Sequence, residues 1–200
     1  MKWDKLVIAT RNRDKVREIQ DLLKTLPVTI LSINDFDHMI EVVEDQPTLQ
    51  ANAIKKATEI SAQFDMPALA DDTGLEVDAL DGAPGVFSSR FAGPQASYDE
   101  NVDLLLHRLN DVPKTQRAAR FRTVMALAFG NEIDTVEGVC DGTILQERRG
   151  SNGFGYDPVF YVPEFEQTLA EMDLAHKNKI SHRAKALQNM KDILQQKFGA

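Results

Sequence analysis

Asp71 and Asp72 stand side by side in "MPALADDTGLEV", closing a short apolar run and preceding Thr73-Gly74. Adjacent carboxylates repel at neutral pH, so their position at the mouth of a buried segment calls for compensating positive charge. Two uses fit. Mg²⁺ is a hard cation that takes oxygen ligands and often uses only one or two protein carboxylates plus substrate phosphate. A further carboxylate can serve as general base on water beside it. Successive strand residues point to opposite faces, so the two aspartates diverge and differ in role rather than forming a shared-proton dyad. An Asp-rich turn before Thr-Gly is the purely structural alternative. Glu44, in an acidic loop upstream, completes the set.

Four other stretches carry polar chemistry. "TRNRDK" (10–15) sits where a strand gives way to a helix, the place where α/β proteins offer free backbone N–H groups to phosphates. Thr10 and Asn12 add hydrogen-bonding groups there and Lys15 adds charge, although a helix cap and a solvated lysine would look the same. The glycines of a Walker loop are missing. Asn52 and Lys56, four apart, share one helix face, and on spacing alone read as a solvated face. In "GFGYDP" (153–158), Phe154 or Tyr156 forms a stacking platform for a base, or both anchor a core beside a tight turn. "KNKISHR" (177–183) gathers Lys177, His182 and Arg183 into a donor-rich cluster.

These residues need elements to hold them. "KLVIAT" reads as a buried strand, and Val16, Ile19, Leu22, Leu23 and Leu26 recur at helical spacing from about Asp14 to Pro27. "VTILSI" predicts a second strand and 34–47 a polar loop. Thr48 then caps a helix with Leu49, Ala53, Ala57, Ile60 and Phe64 on its apolar face. "MPALADD" predicts a third strand, turning at Thr73-Gly74 into a short neighbour, "LEVDAL". A helix over about 97–109 turns Val102, Leu105, Leu106 and Leu109 inward. Two long strands meet in a hairpin at Gly130-Asn131. A glycine-rich loop and a short strand follow, then a final helix capped by Ser181. Early helix crossovers combined with a late hairpin require an α/β fold with a mixed sheet.

The 200 residues suffice for one domain with a sizeable core. No apolar run approaches the ~20 residues of a membrane span, and the charged start argues against a signal peptide. Cys140 is the single cysteine, which excludes an intrachain disulfide and a cysteine-based zinc site; a reducing cytoplasm is expected, with Cys140 as a small core residue. The net charge of −8, without a basic stripe, argues against a nucleic-acid binder. A small phosphorylated molecule held by local Lys and Arg residues fits better.

"TRNRDK", "LADDTGLEVDALDGAPG", "GFGYDPVF" and "ISHRAKAL", in that order, resemble the inosine triphosphate pyrophosphatase family (dITP/XTP pyrophosphatases) over nearly the whole chain. The resemblance implies Mg²⁺-dependent hydrolysis of ITP, dITP and XTP to the monophosphate and pyrophosphate, cleansing the nucleotide pool. It also implies one catalytic domain over 1–200, an elongated mixed β-sheet flanked by helices, two lobes with an active-site cleft between them, and a homodimer. Carried over by motif, Thr10, Asn12, Lys15 and Lys56 bind the triphosphate, with Thr73 among the substrate-binding residues. Glu44 and Asp72 bind metal, and Asp72, with Asp71 beside it, is the general base. Phe154, Tyr156 and Asp157 form the base-stacking and base-reading loop, and Lys177, His182 and Arg183 recognise the purine. Arg11 replaces the family's frequent glycine, and Ala51 its usual acidic residue before Asn52-Ala53. A Maf-like pyrophosphatase acting on pyrimidine or modified nucleotides and a non-catalytic nucleotide sensor are the rival readings.

Overall fold

The computed structural model describes residues 4–37 and 42–198; of the loop expected over 34–47, residues 38–41 lie outside the described residues. The elements run β1 (Lys5–Ile8), α1 (Arg13–Leu23), β2 (Thr29–Ser32), α2 (Leu49–Phe64), β3 (Ala68–Val77), β4 (Pro84–Gly85), α3 (Tyr98–Arg108), β5 (Ala118–Phe129), β6 (Glu132–Ile144), β7 (Phe160–Val162), β8 (Gln167–Thr168), α4 (Leu174–Ile180) and α5 (His182–Phe198). Eight strands form one sheet in the order β2-β1-β3-β5-β6-β7-β8, with β4 paired to β3. β1 is parallel to β2 and β3, whereas β3–β4, β6–β7 and β7–β8 are antiparallel. This is the mixed sheet that the sequence requires. The chain divides into two compact units, Met1–Asp72 with Thr123–Gly138 and Arg183–Ala200, and Thr73–Arg122 with Val139–His182.

In the first unit β1 is apolar without alternation because both its faces are covered: Leu6, Val7 and Ile8 are all fully buried. Leu6 and Ile8 pack with Val16, Ile19 and Leu23 of α1 and with Leu187, Met190 and Leu194 of α5. α1 starts at Asn12, whose side chain accepts from the backbone N–H groups of Asp14 and Lys15. Thr48 caps α2 through the N–H of Ala51. With alanine rather than an acid at that third position, no side chain returns a bond to the cap, so α2 has half a capping box.

In the second unit the predicted turn at Thr73-Gly74 is absent. β3 runs unbroken from Ala68 to Val77, and "DAL" is a 3₁₀ turn rather than part of a separate strand. Gly74 marks a close approach instead: a Cβ there would lie 2.7 Å from the Gly85 carbonyl oxygen of β4. The core joins Leu75 and Val77 to Val102, Leu105 and Leu109 of α3, with Phe121, Ile144 and Phe160, and Cys140 is buried among them. α4 is too short to reveal a period in the sequence. Ser181, expected as the cap of α5, directly precedes the first residue of that helix, His182, and is at the same time the C-cap of α4. The predicted hairpin links β5 and β6, its turn lying in the first unit with Gly130 at φ +57. No helix among the described residues is long and apolar enough to cross a membrane.

Candidate active site

β3 delivers the two aspartates to opposite sides, as strand alternation dictates. Asp71 Oδ2 lies 3.0 Å from Lys15 Nζ and accepts from Arg183 Nε and Nη2 at 3.3 Å. Arg183 Nη1 donates to Glu18 Oε2, so α1, β3 and α5 meet in a buried chain Lys15–Asp71–Arg183–Glu18. Asp72 turns instead to α2, accepting from Asn52 Nδ2 at 3.1 Å and lying 3.5 Å from Lys56 Nζ.

Asn52 and Lys56 are therefore not a solvated face. Both are buried, because α2 lays that face against β3 and the Glu44 loop. Lys56 Nζ donates to Glu44 Oε1 at 2.5 Å and to the Asp71 carbonyl at 2.7 Å, so one ammonium bridges the loop and the strand. Asn52 Oδ1 accepts from the Gln46 N–H at 2.9 Å. Spacing alone misses this burial because the carboxylate partners lie far away in the sequence.

The two aspartates titrate in opposite directions. Burial disfavours charge on Asp71, but Lys15, Arg183 and Lys56 together hold its carboxyl well below the usual range. Burial, joined by the Glu44 charge, pushes Asp72 up against the opposing pull of Lys56, Lys15 and Asn52. For Glu44, burial raises the pKa but Lys56 overrides it and the net direction is downward. Burial opposes charge on Lys56, yet Asp72, Glu44 and Asp71 keep it firmly protonated. A carboxylate with raised proton affinity beside a fixed ammonium is suited to taking a proton from water.

A second constellation lies wholly in the second unit. Gly153 and Gly155, at φ +74 and +62, fold the loop so that Asp157 Oδ2 accepts from the Phe154 N–H at 2.9 Å. The same oxygen takes Lys177 Nζ at 2.6 Å, and that ammonium lies 4.8 Å from the Phe154 ring centroid. Asp157 and Lys177 thus shape the loop that presents Phe154, which packs at 5.8 Å against Tyr98. Tyr156 is a core anchor, its hydroxyl donating to the Ser88 carbonyl at 2.9 Å, and burial raises its pKa. His182 is buried, with its ring stacked on Phe121 at 4.5 Å.

Of the remaining expected residues, Thr10 Oγ1 accepts from the Asn12 N–H at 3.3 Å, so Thr10 and Asn12 shape the start of α1. Thr73 is half-buried within β3, and Arg11 is exposed. Glu18 is not legible in the sequence: its partner Arg183 lies 165 positions along the chain. The one available signal is a carboxylate three residues beyond Lys15, beside the apolar stripe of α1.

The donor set around Asp72 fits a hard divalent cation. Glu44 and Asp72 offer carboxylate oxygens, both already within reach of a single positive group, Lys56 Nζ. No group of three or more His, Cys, Asp or Glu side chains able to cage a metal occurs among the described residues. Such a cation would complete its shell with substrate phosphate and water, as Mg²⁺ commonly does.

The Ham1 family profile matches residues 6–193. The chain is 52% identical over 191 residues to a dITP/XTP pyrophosphatase of Desulforamulus reducens, covering 95% of each chain. It is 44% identical over 196 residues to one of Bacillus cereus, covering 96% of each. Among solved structures, a HAM1 protein from Coxiella burnetii superposes with TM-score 0.87 at 40% identity, and the Staphylococcus aureus Ham1 protein with 0.85 at 33%. Each alignment covers 96% of this chain and 98% of the other.

Proposed function

The chain belongs to the Ham1 family, and on that premise we propose that it hydrolyses non-canonical purine nucleoside triphosphates, ITP, dITP and XTP, to the monophosphate and pyrophosphate. It is an enzyme of nucleotide metabolism, acting with Mg²⁺ as one functional domain, in the cytoplasm and as a homodimer. The observation that carries the reading is the junction of Glu44, Lys56 and Asp72 at hydrogen-bond distances.

Phosphoryl transfer asks a protein mainly for positioning and charge stabilisation. Lys15 and Lys56 supply fixed positive charge for the phosphates, and Asn12 with Thr10 shapes the helix start that receives them. Asp72 orients the attacking water and takes its proton. Glu44 and Asp72 would hold Mg²⁺, which when bound neutralises phosphate charge and polarises the reacting group. Asp71 sets the position of Lys15 and Arg183.

Phe154 stacks on the base, steadied by Asp157 and Lys177 and anchored through Tyr156. Hypoxanthine and xanthine present a 6-oxo acceptor, adenine a 6-amino donor. Lys177 and His182 are donor-bearing groups held in place by Asp157 and by stacking on Phe121, whereas the guanidinium of Arg183 is engaged by Glu18 and Asp71. An ammonium such as that of Lys177 has no lone pair with which to accept from an amino group, and sites of this type discriminate strongly.

The test is a panel of ITP, dITP, XTP, ATP, GTP, dTTP and UTP with Mg²⁺ and product identification. The expected outcome is pyrophosphate release with kcat/KM for ITP and XTP about 100-fold or more above ATP. Comparable rates on ATP, or orthophosphate as the only product, would overturn the proposal. Preference for dTTP or UTP would favour the Maf-like reading.

A further inference from the structure

Asn52 is among the most deeply buried polar residues of the first unit, at 1% exposure, and it touches both Asp72 and the backbone of the loop that carries Glu44. Its amide orientation follows from chemistry. The Gln46 N–H can only donate, so the atom 2.9 Å from it must be Oδ1. Nδ2 is thereby turned towards Asp72 Oδ2 at 3.1 Å, and it also approaches the Gln46 carbonyl at 3.5 Å. Gln46 lies two residues beyond Glu44. One side chain therefore ties the Glu44 loop to α2 and at the same time occupies one chosen oxygen of Asp72.

We infer that Asn52 is a positioning residue. It reserves Asp72 Oδ2 for a hydrogen bond, leaves Oδ1 for Lys56 and the reacting groups, and fixes the separation of Asp72 from the Glu44 loop. This rests on the pyrophosphohydrolase reading for its catalytic consequence, but not for its consequence in cation binding. Residues that orient ligating carboxylates commonly matter nearly as much as the ligands themselves. The geometry of α2 suits this role, since Asn52 sits in its first turn, fixed by the Thr48 cap, and Lys56 follows one turn later on the same face.

Two variants separate positioning from plain structural support. Asn52→Ala removes all three of these contacts. Asn52→Asp is nearly isosteric and keeps the acceptor for the Gln46 N–H, the shorter of the two loop contacts, but it turns an acceptor with its own charge towards Asp72 and the Gln46 carbonyl in place of a donor. Mn²⁺ binding to wild type and N52A is read from the free-ion electron paramagnetic resonance signal, and steady-state kinetics with ITP are measured at saturating Mg²⁺ for all three proteins. N52A should bind Mn²⁺ about 10–100-fold more weakly, and both variants should lose about 10–100-fold in kcat with KM for ITP changed far less. Thermal melts establish that each variant is folded. If N52A does not fold, N52D still tests the inference, because positioning through a donor predicts a fall in kcat when an acceptor replaces that donor beside Asp72. An N52D kcat within threefold of wild type, or unchanged Mn²⁺ affinity in a folded N52A, overturns the inference. If wild type itself fails to cleave ITP, the functional reading falls, and the Mn²⁺ comparison still decides whether Asn52 organises the cation site.

Discussion

Asp71 and Asp72 are neighbours on one strand whose carboxylates meet different cations: Asp71 Oδ2 lies 3.0 Å from Lys15 Nζ, and Asp72 Oδ1 lies 3.5 Å from Lys56 Nζ. The division sets distinct consequences for two otherwise identical substitutions. Asp72→Asn keeps shape and the Lys56 contact but loses the proton acceptor. General-base removal of this kind costs about 10²–10⁴-fold in kcat, while much of the nucleotide affinity, measured with a non-hydrolysable analogue, should survive. Turnover within tenfold of wild type would remove Asp72 from the mechanism.

The opposite pKa directions predict opposite stability effects. Asp71 is depressed, so the stability it contributes is present above the unfolded carboxylate value of about 3.9 and is lost as pH falls through its folded pKa. Urea midpoints of wild type should therefore drop steeply below about pH 4, and less steeply in Asp71→Asn. Asp72 is raised, so its charged form costs stability at pH above its folded value. Asp72→Asn should accordingly have a higher urea midpoint than wild type at neutral pH even as it loses activity. An unchanged or lower midpoint would contradict the sign of the Asp72 shift.

What the sequence discloses and what it withholds follow one physical line. Helical periodicity locates α1, α2, α3 and α5 and an unbroken apolar run locates β1, because each buries an apolar face, while Gly130-Asn131 marks the long hairpin. Alternation along a strand is enough to place Asp71 and Asp72 on opposite sides. The Thr73-Gly74 turn fails because a glycine serves equally for a bend and for close approach, and only the β4 backbone 2.7 Å away tells them apart. Asn52 and Lys56 look solvated in the sequence, and Glu18 is inconspicuous there, because burial of a polar side chain depends on partners distant along the chain. Tyr156 and Phe154 are indistinguishable as letters, yet one is a core anchor and the other flanks an exposed ring, Tyr98.

The chain Lys15–Asp71–Arg183–Glu18 predicts a strong stability phenotype. Arg183 is 1% exposed, with both carboxylate partners buried. Arg183→Met removes the cation that Glu18 and Asp71 share, leaving Asp71 with Lys15, and breaking such a buried pair typically costs about 3–5 kcal/mol. Adding Glu18→Gln removes the carboxylate that faces Arg183 Nη1, so the double variant should be less destabilised than the sum of the single changes. Denaturant unfolding of the four proteins closes the cycle, and strict additivity would show that Glu18 and Arg183 are not coupled.

Two glycines of the aromatic loop share a left-handed backbone but differ in surroundings. A Cβ on Gly153 would lie 2.1 Å from Asp157 Oδ2, the oxygen that binds both the Phe154 N–H and Lys177. A Cβ on Gly155 meets nothing within 4 Å. Gly155→Ala therefore carries only the left-handed strain of about 1–2 kcal/mol, whereas Gly153→Ala also breaks the contacts that present Phe154. If Phe154 stacks on the base, its loss to alanine should cost about 1–3 kcal/mol of nucleotide binding, read as KM for ITP. Gly153→Ala should follow Phe154→Ala in KM, and Gly155→Ala should stay much closer to wild type. Equal effects of the two glycine variants would mean that backbone strain, and not the Asp157 hinge, governs the loop.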